Sequence, residues 1–277
     1  MAKKLVRMAI AYDFDGTLAP GNMQEYDFIP KLHMNSDDFW REVRETAKEH
    51  DADQILAYMY VMLEKAHREK IAVRKSDFKN YGKGIELFEG VQEWFARIKA
   101  YGKQRGIKIE HYIVSSGIRE MVEGTSIARE FSAIYASGFM YDHNDVACWP
   151  ALAINYTTKT QYLFRINKGS LEVYDNTVIN SYVPHEKRPV PFENMIFIGD
   201  GETDIPCMRL VKDQGGHSIS VYNSNKKGAR KAAEQLLNDK RVTLTAPADY
   251  RDGKKIDLAV KAMIDKVEAR SKILGLI

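Results

Sequence analysis

Three apolar segments of this chain each end in glycine and polar or acidic residues, and this pattern constrains the fold more than any other feature. The segments are residues 6–12, 109–114 and 195–198. Apolar runs of this length bounded by turn residues are typical of buried strands. Because strand ends converge on one crevice in an open parallel α/β sheet, the three polar ends should meet where a ligand binds.

Segments with helical spacing lie between these strands. Residues 91–98 place apolar side chains on one helix face, and residues 228–237 and 256–273 also show helical patterns. Residues 219–221 and 242–244 are two further candidate strands. Strands that alternate with helices predict an α/β fold with a doubly wound parallel sheet.

Residues 21–88 differ in character from the rest of the chain. Their central part is rich in Glu, Lys, Arg and Ala, and its apolar residues recur at helical spacing. This stretch interrupts the strand pattern directly after the first strand. We therefore predict an α-helical cap over residues 21–88 and a core domain built from residues 1–20 and 89–277.

Local signals predict where the elements of this cap begin and how it joins the core. Asn35 or Ser36 is suited to cap one helix, and Asp51 is suited to start another. Residues 81–84, Tyr-Gly-Lys-Gly, are predicted to form one of two short hinge connections. Outside the cap, residues 134–155 lack helical spacing and predict a β-hairpin that projects from the core.

Composition excludes several classes of protein. Hydrophobic residues make up 44% of the chain and charged residues 29%, which is ordinary for a chain with a real core and not for a disordered one. The net charge of +3 gives no argument for a nucleic-acid or anionic-membrane partner. The cysteines, Cys148 and Cys207, show no zinc-ligand spacing and suit a reducing compartment. Charges interrupt every apolar run short of the roughly 20 residues that span a bilayer, so we expect a cytoplasmic protein.

The string 13–18, Asp-Phe-Asp-Gly-Thr-Leu, carries the most chemical information. Two carboxylates placed two residues apart at a strand end can divide a reaction between them, because one attacks while the other acts as an acid and then as a base. Gly16 relieves the turn, and backbone N–H groups there can face an anion. An isolated Asp-x-Asp is usually a pair of solvated turn residues. The apolar strand before it and the Gly-Thr-Leu after it favour the functional interpretation.

A second acidic pair follows the third strand. Asp200 and Asp204 are four residues apart in the string Gly-Asp-Gly-Glu-Thr-Asp. Together with Asp13 they would repel one another unless a cation lies between them. Oxygen ligands select a hard ion, so we predict Mg²⁺ at this place. Without the first string, this one would be weak evidence and as easily a polar loop.

In their order along the chain, these strings resemble the motifs of the haloacid dehalogenase (HAD) superfamily of phosphohydrolases that use an aspartate nucleophile. Residues 13–17 resemble the first motif, 114–115 the second, a downstream lysine the third, and 199–204 the fourth. The resemblance covers nearly the whole chain and implies a Rossmann-like core. The cap and hairpin together resemble the phosphoserine-phosphatase-like branch, which usually carries Asn where this chain has Thr203.

The resemblance implies roles for the four aspartates. Asp13 would be the nucleophile that becomes an aspartyl-phosphate, and Asp15 would protonate the leaving alkoxide and then activate water. Asp13, Asp200 and the main-chain carbonyl of Asp15 would hold the metal ion, with Asp204 binding it directly or through a water. Asp15 also separates this chain from the dehalogenase branch, which lacks that residue, and from the transport ATPases, which carry Thr there.

The resemblance also implies a phosphate site with donors and a cation. Ser115 would donate its hydroxyl to the phosphate, and backbone N–H groups near Ser116 and Gly117 would assist. A lysine ammonium would offset the negative charge of nucleophile and phosphate. We favour Lys159 over its rival Lys168, because Lys159 follows a strand directly and stands where a helix would begin.

The sequence therefore predicts a Mg²⁺-dependent phosphomonoester hydrolase that acts on a small phosphorylated metabolite, with neither a nucleic acid nor a membrane as partner. One alternative keeps the site and passes the phosphoryl group to a sugar hydroxyl, as a phosphotransferase or mutase does. Another is a non-catalytic module that binds a phosphorylated ligand, but Asp13 and Asp15 together argue against it. Aromatic residues of the cap are expected mainly in the core, with a few facing the substrate: Trp40, Tyr58, Tyr60 and Phe78.

Overall fold

The computed structural model describes residues 5–275, and a seven-stranded sheet forms their centre. In chain order the strands are β1 Val6–Tyr12, β2 Ile107–Ile118, β3 Phe131–Tyr141, β4 Ala147–Leu152, β5 Met195–Gly199, β6 His217–Tyr222 and β7 Leu244–Pro247. They lie in the order β4-β3-β2-β1-β5-β6-β7, and every pairing is parallel except that of β3 with β4. The predicted Rossmann-like α/β fold is confirmed, although the last strand begins at Leu244, where the predicted strand ends.

Helices cover both faces of this sheet. In chain order they are α1 Phe28–Lys31, α2 Ser36–Glu49, α3 Gln54–Arg68, α4 Lys75–Lys83, α5 Val91–Gln104, α6 Arg119–Gly124, α7 Thr158–Lys168, α8 Thr177–Asn180, α9 Ile205–Asp213, α10 Ala229–Asn238 and α11 Lys255–Leu274. Side chains alternate along β1, so that Met8 and Ile10 join the core under α5 and α11 while Ala9 joins the core under α7 and α9. Within residues 5–275, no helix has both the length and the apolar character needed to cross a bilayer.

The register around β1 positions the polar strand ends. Tyr12, the last residue of β1, pairs with Ile113 of β2 and with Ile198 of β5. The N–H of Asp13 continues this ladder by donating to the carbonyl of Ile198 at 2.9 Å. Because the three strands are parallel and in this register, the residues that follow them emerge side by side at one edge of the sheet.

Helices α1–α4 lie in residues 21–88, which we call the insert. Asn35 caps α2, as one of the two predicted alternatives, because its side-chain oxygen accepts the N–H of Asp38 at 2.8 Å. The predicted start of α3 at Asp51 is wrong: Asp53 caps that helix and accepts the N–H of Ile55 at 2.9 Å. Asp51 itself has a φ of 49° in the turn before the helix. The division of the chain into core and cap domains stays a prediction.

The predicted hinge at residues 81–84 is largely the last turn of α4, and that turn is packed against the core. A Cβ on Gly82 would lie 2.0 Å from the carbonyl oxygen of Met121 in α6. A Cβ on Gly124, at the end of α6, would lie 2.0 Å from the carbonyl oxygen of Lys79. The two glycines allow the backbones of α4 and α6 to come into contact. This end of the insert is therefore packed against the core.

The predicted hairpin exists as β3 and β4, but its first strand belongs to the main sheet. Ala133 and Tyr135 of β3 pair in parallel with β2, and only the later part of β3 pairs with β4. The turn of the hairpin also meets the insert, where the N–H of Lys75 donates to the carbonyl of Asp145 at 3.0 Å. The hairpin therefore extends the sheet and contacts the insert, and its first strand does not project from the core.

Candidate active site

A cleft of about 1940 Å³ lies at the carboxyl ends of β1, β2 and β5 and extends along residues 221–241 beyond β6. The core contributes the residues that follow these strands, and the insert contributes the opposite side. The side chains that line the cleft include those of Asp13, Asp15, Ser115 and Asp200 from the strand ends, and those of Gln24 and Tyr58 from the insert. The convergence expected from the parallel strand ends is therefore present in the structure.

Three carboxylates form a compact cluster in this cleft. One carboxylate oxygen each of Asp13, Asp200 and Asp204 lies within 4.8 Å of the others. Burial raises the pKa of Asp200 to about 8, and the charges of Asp204 and Asp13 add to this effect. Burial and the charge of Asp13 raise the pKa of Asp204 in the same way. Such a set of oxygen donors is costly to ionise alone, so its chemistry fits a hard divalent cation.

Lys159 supplies a positive charge at the edge of this cluster. Its side chain is fully buried at the start of α7, and its Nζ lies 3.0 Å from Asp13 Oδ2 and 2.7 Å from Asp204 Oδ1. Burial alone lowers the pKa of Lys159, but the charges of the two carboxylates outweigh burial and raise the pKa above its usual value. The ammonium therefore stays charged and holds the predicted nucleophile and Asp204 together.

The rival lysine lies at the other end of the same helix. Lys168 is the last residue of α7, and its Nζ donates to the carbonyls of Ile179 and Ser181 at 2.7 and 2.8 Å. Those contacts tie down the segment that follows α7 and involve no carboxylate of the cluster. Of the two candidates, the structure thus brings only Lys159 to the predicted nucleophile.

Asp15 is held apart from the cluster by the start of the insert. Its Oδ1 accepts the N–H of Met23 at 2.9 Å, and its side chain is not a member of the carboxylate cluster. Burial raises the pKa of Asp15 well above its usual value, and the charge of Asp13 adds to the shift. Asp15 is therefore protonated more readily than an ordinary carboxylate, which is what an acid at this position requires.

The predicted phosphate-binding residues, Ser115 to Gly117, lie near the carboxyl end of β2 and line the cleft. Ser115 is buried, and its Oγ accepts the N–H of Gly117 at 3.2 Å, which leaves the hydroxyl proton available for another acceptor. The carbonyl of Ser116 accepts a hydrogen bond from the Tyr58 hydroxyl at 2.6 Å. This bond links α3 of the insert directly to the strand end.

Asp204 organises the loop that carries Asp200. Its Oδ2 accepts the N–H groups of Asp200 at 3.1 Å and Gly201 at 3.4 Å, while its Oδ1 contacts Lys159. Thr203, the departure from the family pattern, places its hydroxyl oxygen 3.4 Å from Lys159 Nζ. Both oxygens of Asp204 are thus engaged within the protein, so its main effect in this structure is to orient its neighbours.

Replacing Gly16 with alanine is expected to disrupt this arrangement. Gly16 has a φ of 72°, and a Cβ there would lie 2.1 Å from Asp200 Oδ2. Strain in the left-handed region should lower the free energy of unfolding by about 1–3 kcal/mol. The displaced Asp200 should also lower hydrolytic activity, because it is a predicted metal ligand. Urea unfolding and magnesium-dependent turnover measure the two effects.

Gly106→Ala is the matched control for that substitution. Gly106 has nearly the same φ, 71°, but a Cβ there would have no neighbour within 4 Å. We expect a similar loss of stability from backbone strain, with activity retained. Unchanged activity in Gly16→Ala would contradict the predicted role of Asp200.

The insert contributes to the cleft two of the aromatic residues considered from the sequence and one residue that sequence reasoning missed. Tyr58 and Trp40 line the cleft, whereas Phe78 is buried in the core and Tyr60 is exposed. Gln24, not singled out from the sequence, also lines the cleft although only 3% of it is exposed. No local signal identifies such residues, because helical spacing does not distinguish a core-facing position from a cleft-facing one.

Comparison with known proteins shows the family to which this chain belongs. The haloacid dehalogenase-like hydrolase family model matches residues 10–209, and the chain belongs to this family. The match begins in β1 and includes Asp13, Ser115, Lys159 and Asp204. The predicted family membership and the hydrolase class of the enzyme are confirmed.

Individual relatives agree with this assignment. A Borreliella burgdorferi protein described as an uncharacterized protein is 32% identical, over 90% of this chain and 93% of that one. A HAD family hydrolase from Salmonella enterica serovar Typhi has a TM-score of 0.60 at 15% identity, covering 95% of this chain and 72% of that one. A substrate-bound phosphoserine phosphatase has a TM-score of 0.54 at 14% identity, covering 86% and 92%. The likeness of fold to the phosphoserine-phosphatase-like branch is therefore confirmed.

Proposed function

We propose that the protein is a phosphatase that hydrolyses small phosphomonoesters through an aspartyl-phosphate on Asp13. The observation that carries this proposal is the placement of the Asp13 carboxylate. It lies 3.0 Å from the Lys159 ammonium and within 4.8 Å of oxygens of Asp200 and Asp204. Phosphoryl transfer depends mainly on positioning and on charge stabilisation, and this placement supports both.

In the first step, a carboxylate oxygen of Asp13 bonds to phosphorus while the bond from phosphorus to the leaving oxygen breaks. Asp15 gives its proton to that oxygen, so the alcohol leaves as a neutral molecule. The Ser115 hydroxyl and the Lys159 ammonium face the phosphoryl oxygens and offset their charge. The raised pKa of Asp15 agrees with this acid role.

In the second step, Asp15 acts as a base. Its carboxylate takes a proton from a water molecule, whose oxygen attacks phosphorus. The bond between phosphorus and Asp13 breaks, and inorganic phosphate leaves. Asp13 is then again a carboxylate and Asp15 is again protonated, which completes the cycle.

We propose Mg²⁺ as the ion that the carboxylate cluster holds. The side chains that fit it are those of Asp13 and Asp200, to which the family resemblance adds the main-chain carbonyl of Asp15, while Asp204 orients Asp200 by accepting its backbone N–H. When bound, the ion supplies positive charge to the phosphoryl oxygens. Lys159 would supply a second positive charge next to the Asp13 carboxylate.

The insert is proposed to act as the cap of the enzyme. The cleft is lined on one side by Trp40 and Tyr58 of the insert and on the other by Ser115 and Asp200 of the core. Helix α3 is already bonded to the end of β2 through Tyr58 and Ser116, so movement of α2 toward the strand ends would narrow the cleft and exclude water from the first step. The cap would then contact the leaving group, while the core contacts the phosphate.

Release of inorganic phosphate tests this function. We expect turnover of an aryl phosphate and of small phosphate esters with Mg²⁺, loss of turnover with excess EDTA, and recovery when Mg²⁺ is restored. Release without any added acceptor would separate hydrolysis from the phosphotransferase alternative. Turnover that requires an acceptor alcohol, or no turnover with any divalent ion, would overturn the proposal.

A further inference from the structure

Gln24 carries a buried amide oxygen that has no hydrogen-bond partner among residues 5–275. It belongs to the 3₁₀ turn Met23–Glu25 and is 3% exposed, yet it lines the cleft. Its Oε1 has no hydrogen-bond partner in the described part of the chain. An unpartnered buried polar atom destabilises the folded state, so such a group in a folded protein calls for an explanation.

The position of Gln24 relates it to the leaving group of the reaction. Its neighbour Met23 holds Asp15 through a backbone N–H at 2.9 Å, and consecutive Cα atoms are about 3.8 Å apart. Gly117 borders the same place, because a Cβ there would lie 3.1 Å from Asp15 Oδ2. Asp15 must reach the leaving oxygen in the proposed mechanism, so Gln24 lies beside the first atoms of the leaving group.

A second unpartnered group lies in the same part of the cleft. The Oγ of Ser116 is buried and also lacks a partner in the described residues, while its carbonyl is bound by the Tyr58 hydroxyl. Burial raises the pKa of Tyr58, and hydrogen bonding from the side chains of Ser137 and Gln24 opposes this shift. Gln24, Ser116 and Tyr58 thus form a neutral polar wall next to Asp15.

We propose that Gln24 is a specificity-determining residue that hydrogen bonds to a hydroxyl group of the leaving alcohol, with Ser116 assisting. The substrate class is then a polyol or sugar phosphate with a hydroxyl close to the ester oxygen. Amide and hydroxyl groups can both donate to and accept from a hydroxyl group, and these three residues carry no charge, whereas the charged residues that the insert adds to the cleft include Glu25, Arg41 and Arg44. This inference rests on the proposed phosphatase function and adds the nature of the leaving group.

The test compares two esters that differ only in hydroxyl groups, glycerol 1-phosphate and propyl phosphate. We expect the wild type to show at least about tenfold higher kcat/KM for glycerol 1-phosphate, because a site built to bind a hydroxyl disfavours the analogue that lacks it. In Gln24→Met, which keeps the volume and removes the amide, that ratio should fall to within about threefold of one. A wild type without preference, or a preference kept in the variant, would overturn the inference.

Matched measurements separate specificity from folding. Gln54→Met changes the same residue type at an exposed position lining the same cleft and should keep the wild-type ratio. The melting temperature of Gln24→Met should fall little, because the lost oxygen has no partner and only the contact of the amide N–H group with Tyr58 is given up, whereas a larger structural role would lower it clearly. Ser116→Ala probes the wall from the core side and should also reduce the ratio. If neither ester nor an aryl phosphate is hydrolysed with Mg²⁺, the proposed function fails, and that result is distinct from equal turnover of both esters.

Discussion

Asp13→Asn is expected to lower phosphomonoester turnover by at least about 10⁴-fold, because losses of this size are typical when a nucleophilic residue is removed. The amide has the shape of the carboxylate but cannot attack phosphorus. The fold should survive, because Lys159 keeps its contact to Asp204 at 2.7 Å and one of three crowded carboxylates is removed. Phosphate release under Mg²⁺ saturation measures the loss, and thermal unfolding checks the fold.

Trapping the intermediate makes this prediction specific. Acid quenching during turnover, followed by mass spectrometry, should find one added phosphoryl group on the wild-type peptide that contains residue 13 and none on the variant. Asp213→Asn, at the end of α9, is the control, since Asp213 is exposed and its carboxylate contacts Arg209 outside the cleft. Activity of Asp13→Asn within tenfold of the wild type would refute the nucleophile assignment.

Lys159→Met is expected to damage both stability and activity. The ammonium is fully buried between Asp13 and Asp204, and removing one partner of a buried ion pair costs about 3–5 kcal/mol. Turnover should fall by about 10³-fold, because the phosphoryl charge loses a fixed cation. Urea unfolding and steady-state kinetics give the two values.

The loss of stability in Lys159→Met should depend on pH in a defined direction. Burial and mutual repulsion already raise the pKa values of Asp200 and Asp204, and loss of the lysine charge should raise that of Asp204 further. Folded-state pKa values above the unfolded ones favour the folded state as pH falls, since the folded protein then binds more protons. The stability deficit of Lys159→Met should therefore be smaller at pH 5 than at pH 8, and added Mg²⁺ should also reduce it. A deficit that is independent of both pH and Mg²⁺ would indicate that the lysine does not balance these carboxylates.

Lys168→Met is the matched control on the same helix. Its ammonium is bonded to the carbonyls of Ile179 and Ser181, so its loss should cost about 1–3 kcal/mol at most and leave turnover within a few-fold of the wild type. A large loss of activity in this variant instead of Lys159→Met would reverse the choice between the two lysines.

Residues that follow strands were the most predictable part of this protein. Asp13 and Asp200 directly follow apolar segments, and parallel strands in one sheet bring such residues to a common edge. Lys159 could be preferred over Lys168 because it stands at a helix start after an extended segment. The roles of these residues remain predictions, but the structure places the two aspartates and Lys159 at the expected cleft.

Contacts between distant segments were not predictable in the same way. Residues 81–84 contain two glycines, which indicate flexibility when taken alone, but Gly82 is the point where α4 touches α6. Helix α3 is capped by Asp53 and not, as predicted, by Asp51, because Asp51 lies in the preceding turn with a positive φ. Strand β3 of the predicted hairpin belongs to the main sheet because its first part pairs in parallel with β2.

The amino-acid sequence by itself determined the α/β class, the family and the acidic strand ends, since these depend on local hydrophobic patterns and on short strings of residues. Only the tertiary structure decided that Tyr58 contacts Gln24 and Ser116 near Asp15, and that Asp204 orients the Asp200 loop. The physical reason is the range of the interactions. Strand and helix patterns arise from neighbouring residues, whereas the side chains that face a leaving group are selected by packing of an insert against strand ends nearly one hundred positions away.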